Sequence, residues 1–255
     1  LPMDVVSEML GVRQEDRDEL RSWADTVLHR DEGVRGVPPA GVEASGKLLG
    51  YFQNLIASRR DAPGDDLASA LLAVELDGEK LAESDILAFC YLMIIAGNET
   101  TTKLLANCLY WLDRNESERA KVRGRPERIP DWIEETLRYD NSTQLMARTL
   151  TTDITMYDQT MKAGDKLLLL IGSANRDAAV FPDPNRYDLD RDTGDHLSFG
   201  RGAHFCLGAS LARLETRVSL EELERRIPNW KVQSEAAERV HNPNVRGFAR
   251  LPLTF

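Results

Sequence analysis

Ten residues towards the C-terminal end, Phe199-Gly200-Arg201-Gly202-Ala203-His204-Phe205-Cys206-Leu207-Gly208, gather residue types that can do chemistry at one spot. Three glycines let a backbone lie flat against something broad, and Cys206 stands just before a helical pattern whose N-terminal amides favour a thiolate. A soft anionic sulfur held there is a good ligand for iron. The plainer reading of a lone cysteine after a turn is a buried structural thiol. Zinc suits the spot less well, because no second cysteine or histidine stands at ligand spacing. Two other stretches stand out. Ala96-Gly97-Asn98-Glu99-Thr100-Thr101-Thr102 puts a glycine, a carboxylate and three β-branched residues in the middle of a long apolar helical pattern, where leucine or alanine would hold the helix better. Glu135-Thr136-Leu137-Arg138 is an acid and a base three apart, which alone would be a surface ion pair worth a few tenths of a kcal/mol.

The first of these stretches resembles the haem-binding loop of the cytochrome P450s, Phe-Gly-x-Gly-x-His-x-Cys-x-Gly, and matches it at every fixed position. The other two follow in the order that family requires. The resemblance implies a mainly α fold with minor β and a haem b group ligated by the Cys206 thiolate, which donates electron density favouring O–O cleavage. It implies that His204 bonds a haem propionate and that Gly200, Gly202 and Gly208 let the loop lie under the porphyrin. Ser198, Phe199, Ala212, Gly97 and Thr101 would also line the cofactor, and Arg148, matched by its distance from Arg138, would pair with a propionate. Glu135 and Arg138, with Arg186 of the loop Phe181-Pro182-Asp183-Pro184-Asn185-Arg186, would form a buried network bracing the haem loop. The Ala96–Thr101 stretch resembles the family's oxygen-activating kink. There Gly97 would clear space for dioxygen, the Thr100 hydroxyl would donate to it instead of back to Ala96, and Glu99 would relay protons from solvent. Leu92, Ile95, Ala96, Thr143, Gln144, Met146, Asn244 and Val245 would face a lipophilic substrate of moderate size.

The elements that must position these groups follow from periodicity. Helices are expected over Asp4–Leu10, stopped by Gly11, over Gln14–Arg30 and over Val42–Arg60, with a break at Gly33–Pro39 between the last two. A short helix should run from an Asp66 N-cap through Leu67 to Leu76, closed by Asp77-Gly78. Ser84 to Asp113 reads as one helix, apolar nearly all round and so running through a core. A further helix starts at Pro130. Strands are expected at Ala147–Met156 and Lys166–Ile171 with a turn at Ala163-Gly164-Asp165, then a last helix through Leu211, Leu214 and Val218, and a small C-terminal hairpin. These parts read as one domain over 1–255, with a helical substrate cover (1–83), the long helix (84–113), the Glu-x-x-Arg helix and strands (130–198), and the thiolate loop with the final helix (199–255).

Composition bounds the function. With 32 Lys+Arg against 42 Asp+Glu, the formal charge is -10, which excludes nucleic acid bound by backbone neutralisation. The longest apolar run, Ile86–Ala96, falls short of the roughly 18 residues that span a bilayer, so no membrane segment is expected. Cys90, Cys108 and Cys206 form neither a CxxC pair nor an even framework, which suits a reducing, cytoplasmic setting. The chain opens Leu1-Pro2-Met3, and the resemblance implies roughly 150 further residues upstream, an N-terminal third with the first helices and most of the main sheet. The activity implied is a bacterial-type monooxygenase that inserts one atom of O2 into its substrate with electrons from NAD(P)H, passed through a ferredoxin and its reductase. Arg201, Arg213 and Arg217 would form a cationic docking patch for that donor. A peroxide-using or oxidative-coupling haem-thiolate enzyme, and a haem-free helical piece, are the alternatives.

Overall fold

The computed structural model describes residues 1–31 and 36–255. The expected break at Gly33-Val34-Arg35 lies outside the described residues. The chain divides into two compact units, Leu1–Thr102 and Lys103–Phe255.

In the first unit, α1 (Pro2–Leu10) ends on Gly11, whose φ of 80° lets its N–H reach the Glu8 carbonyl while the Val12 N–H reaches Ser7, a Schellman closure. A 3-10 turn at Gln14–Asp16 leads into α2 (Arg17–Leu28), and α3 (Pro39–Asp61) begins on a proline at its first turn. Asp66 caps α4 (Leu67–Ala73) by accepting the Ser69 N–H at 2.8 Å, and its carboxylate also binds Arg59. This helix is shorter than expected. Val74 turns extended, and Asp77 and Gly78 take φ of 54° and 83°, the paired left-handed geometry of a two-residue hairpin turn. That turn joins β1 (Glu75–Leu76) to β2 (Glu79–Lys80), so Asp-Gly closes a hairpin rather than a helix. The core of this unit is Leu10, Leu20, Leu48, Phe52, Ile56, Ile86 and Ile94.

Helix α5 (Glu83–Asp113) is continuous for 31 residues across the division between the units. In the second unit, α6 (Glu116–Val122), which periodicity did not single out, is tied back to α5 by Arg119 on Asp113 at 2.8 Å. Then comes α7 (Ile129–Tyr139). The expected strand Ala147–Met156 divides into β3 (Met146–Thr149) and β4 (Ile154–Met156). Tyr157 and Asp158, with φ of 49° and 62°, fold β4 onto β5 (Gln159–Met161), and β6 (Lys166–Leu169) returns antiparallel to β3, pairing Met146 with Leu169 and Thr149 with Lys166. A single turn, α8 (Ile171–Ala174), precedes the proline-rich loop, and α9 (Ala209–Arg226) follows the glycine-rich one. The C-terminal segment is not a hairpin of its own. Its strands β9 (Phe248–Arg250) and β10 (Leu253–Thr254) are separated by Pro252, which cannot donate to a ladder, and pair upstream with β8 (Glu238–Arg239) and β7 (Lys231–Val232) respectively. Trp132 and Trp230, stacked with centroids 6.4 Å apart, anchor this unit's core with Leu104, Leu112, Ile133 and Leu220. Among the described residues no helix is long and apolar enough to cross a membrane.

Candidate functional site

The thiol loop begins where α7 braces it. Glu135 and Arg138, one helical step apart and both fully buried, form two parallel bonds of 2.7 Å. The remaining guanidinium donors of Arg138 go to backbone carbonyls of Asn175 (2.9 Å), Pro184 (3.0 Å) and Arg186 (3.2 Å), so the proline-rich loop is wrapped onto α7 by its main chain. The network therefore differs from the expected one. Arg186 supplies only its carbonyl, while its exposed guanidinium pairs with Asp188; the second arginine near the buried carboxylate is Arg191, 3.6 Å from Glu135. Two arginines five apart in one loop are not distinguished by spacing alone. Asn175, also missed, is fully buried and uses everything it has: Oδ1 accepts the Leu197 N–H at 2.7 Å and Nδ2 donates to Ser198 Oγ at 2.8 Å. Ser198 in turn donates to the Leu137 carbonyl at 2.6 Å, so its side chain fixes the loop to α7.

Beyond this brace, Gly200 and Gly202 take φ of 70° and 72°, and the chain folds back so that the Cys206 N–H meets the Phe199 carbonyl at 2.8 Å. His204 ends a 3-10 turn, exposed, and Gly208 precedes the first residue of α9, with the Ala212 N–H on its carbonyl at 2.8 Å. Cys206 is an exposed free thiol, whereas Cys90 and Cys108 are buried, and burial pushes their thiols up to about 11 and about 12. The structural-thiol reading thus suits Cys90 and Cys108 and not Cys206. The loop fits a broad, flat, apolar group held by one sulfur. A Cβ added at Gly202 or Gly208 would meet no atom within 4 Å, so these glycines clear space on the outer face of the loop and not against the protein. Phe205 and Leu207, flanking the thiol, are 53% and 73% exposed, apolar surface that calls for a cover. Among the described residues no three His, Cys, Asp or Glu side chains cluster to hold a metal.

The α5 residues belong to the first unit and are best understood by face. Ile86, Cys90, Ile94, Asn98 and Thr101 are buried, Asn98 giving its amide to Asp25 at 3.2 Å. Leu92 and Ala96 lie on the open face, with Ile95, Glu99 and Thr100 half-buried beside it. Three expectations change here. Thr101 is on the buried face and not towards an open one. Gly97 faces α1: a Cβ there would sit 2.6 Å from Val6 Cγ2, so the missing side chain permits close packing of two helices. The helix is not broken at this stretch, and Thr100 Oγ1 donates back to the Ala96 carbonyl at 2.9 Å, as Thr102 does to Asn98.

The remaining expected residues fall into two groups in the second unit. Thr143 bridges to Val245, and the Gln144 N–H meets the Asn244 carbonyl at 2.8 Å, so four residues far apart in the chain come together. Of these, Gln144 is spoken for: its amide donates to the Asn141 carbonyl at 2.6 Å, and its Oε1 lies 2.5 Å from where a Gly172 Cβ would be. Val245 is buried. Met146 and Arg148 are exposed on β3, Arg148 bonded to the Ala147 carbonyl at 2.9 Å. The arginines expected to form a cationic patch are each matched by a carboxylate, Arg201 by Asp195, Arg213 by Glu134 and Arg217 by Glu221, so the patch carries no net charge of its own.

Comparison with known proteins gives this geometry its family. The cytochrome P450 family model matches residues 129–254. A putative cytochrome P450 123 of Mycobacterium tuberculosis is 55% identical over 255 residues, which is all of this chain and 63% of the relative. Cytochrome P450 107B1 of Saccharopolyspora erythraea is 36% identical over 99% of the chain. The chain spans 62–63% of the length of these curated relatives. The crystal structure of CYP109E1 from Bacillus megaterium in complex with testosterone superimposes with a TM-score of 0.89 at 35% identity, covering 99% of this chain and 69% of that one. On sequence, fold and the thiol loop together, the chain belongs to the cytochrome P450 family.

Proposed function

We propose that the protein carrying this chain is a haem-thiolate monooxygenase that converts R–H, O2, two electrons and two protons to R–OH and water. The observation that carries this reading is Cys206: the one exposed cysteine, on a glycine loop cleared on its outer face and braced from behind by a buried ion pair. When bound, haem supplies the iron that activates dioxygen. The chain's own residues do the rest. Cys206 holds the iron through its sulfur, and His204, Arg148, Phe199, Gly200, Gly208 and Ala212 are the residues proposed to hold the macrocycle. On α5, Glu99 takes up protons from solvent and Thr100 passes one on from Oγ1, which requires that hydroxyl to leave the Ala96 carbonyl. The open face of α5 at Leu92, Ile95 and Ala96 is apolar and suits a lipophilic substrate of moderate size; the steroid in the Bacillus megaterium relative is of that class. NAD(P)H, by way of a ferredoxin and its reductase, is the proposed electron source. Arg201, Arg213 and Arg217 are the residues proposed for its docking, each of them carrying a carboxylate partner in the free chain. Dithionite and CO added to the haem-loaded protein should give the strongly red-shifted Soret band of a thiolate-ligated haem, and Cys206→Ala should abolish it; a band that survives the substitution overturns the reading.

A further inference from the structure

Glu134 takes no part in the Glu135–Arg138 network, yet it is gripped by two side chains that lie on either side of Cys206 in the chain. His196 Nε2 is 3.0 Å from Glu134 Oε2, while Arg213 places Nε 2.5 Å from Oε1 and Nη2 2.9 Å from Oε2. His196 precedes Cys206 by ten residues and Arg213 follows it by seven, so one carboxylate on α7 closes the base of the whole thiolate loop. The histidine is oriented for this. Its Nδ1 accepts the Ser198 N–H at 3.2 Å, which leaves Nε2 to carry the proton and donate to Glu134. Phe199 fills the closure, with the Arg213 guanidinium 4.5 Å from its ring centroid and the His196 ring at 6.1 Å, and the Phe199 carbonyl receives the Cys206 N–H. Contacts thus run without a gap from Glu134 to the backbone of the ligand.

The charges follow the same path. The Arg213 guanidinium that packs on the Phe199 ring is bound by both oxygens of Glu134. Burial pushes the Glu134 carboxyl up, but the hydrogen bonds from Arg213 and His196 outweigh it and hold the group down at about 2, so its charge is present at any working pH.

We propose that Glu134 is a positioning residue for the Cys206 ligand: it staples both ends of the thiolate loop and offsets the positive charge that Arg213 would otherwise turn on the sulfur. This deepens the haem-thiolate reading and rests on it. The test uses the haem-loaded full chain as wild type, Glu134→Gln, Arg213→Gln and the double variant, with the iron midpoint potential and the reduced-CO spectrum measured on each. Glu134→Gln keeps the shape but leaves Arg213 uncompensated, so its potential should move to more positive values, Arg213→Gln to more negative ones, and the double variant back towards wild type. Glu134→Ala should also speed exchange of the Cys206 amide hydrogen by about tenfold as the staple opens. An unmoved potential in Glu134→Gln, or unmoved exchange in Glu134→Ala, overturns the proposal. Because Glu134→Gln is isosteric, it carries the test if Glu134→Ala does not fold. Absence of the thiolate band in the wild type overturns the haem-thiolate reading instead.

Discussion

At the scale of single residues, burial sorts side chains of the same type into different chemistries. The three cysteines are the clearest case. At pH 8, iodoacetamide should modify Cys206 quickly and leave Cys90 and Cys108, held up at about 11 and about 12 inside α5, untouched until the chain is unfolded; intact mass should show a single adduct. The same logic makes Glu134 a pH-dependent stabiliser. Its folded-state value of about 2 lies below the ordinary 4.5, so its contribution is fully present above about pH 4.5 and fades as the pH falls towards 2. Glu134→Gln should therefore cost about 1–2 kcal/mol near neutral pH, discounted for the partly exposed Arg213, and the gap to wild type should narrow steadily in urea melts run from pH 5 down to 3. Thr100→Ala removes the back-bond to the Ala96 carbonyl within α5 and should raise the NAD(P)H consumed per product formed. Unaltered coupling would remove Thr100 from the proton path.

At the scale of elements, α5 shows both what could be read from the sequence and what could not. Its extent, Glu83–Asp113, was legible because apolar residues all round a helix admit only a buried axis. The unusual composition at Gly97–Thr102 was equally visible, but its cause was not. A glycine beside a carboxylate and threonines reads as clearance for a ligand, whereas Val6 occupies that space from 91 residues away, and no local pattern encodes such a contact. Gly97→Ala should destabilise the first unit by about 1–3 kcal/mol despite alanine's better helix propensity, since Val6 is buried and β-branched and has nowhere to turn. Val6→Ala should recover part of that loss, and denaturant titration of the single and double variants measures the coupling. The same limit applies to Arg186 and Arg191: the sequence shows two arginines in a loop, and only the path of the chain between Asp183 and Arg191 decides which enters the core. Of the brace, only the Glu135–Arg138 pair was legible, because its partners lie three residues apart, while the carbonyls of Asn175 and Pro184 that complete it are brought in from 37 and 46 residues away.

At the scale of the molecule, two compact units share one helix, and the second carries apolar surface in the open at Leu168, Leu169 and Leu170 of the β6 end and at Phe205, Leu207, Leu214 and Val218 around the thiol loop. Haem added at a hundredfold excess over Kd should stabilise the chain by about 2.7 kcal/mol, seen as a higher thermal midpoint, and should lower the fluorescence of a hydrophobic dye. Cys206→Ala should weaken both responses. The brace beneath that loop has a consequence for how freely the protein can diversify. Arg138 grips the proline-rich loop by two carbonyl oxygens, those of Pro184 and Arg186, and every amino acid brings a carbonyl. The loop's side chains at Asn185 and Arg186 can therefore drift with little penalty while its path is conserved. A saturation library scored for folding should be nearly flat at those two positions and steep at Glu135 and Arg138, so that the outward surface is open to change while the scaffold behind the thiol stays constant.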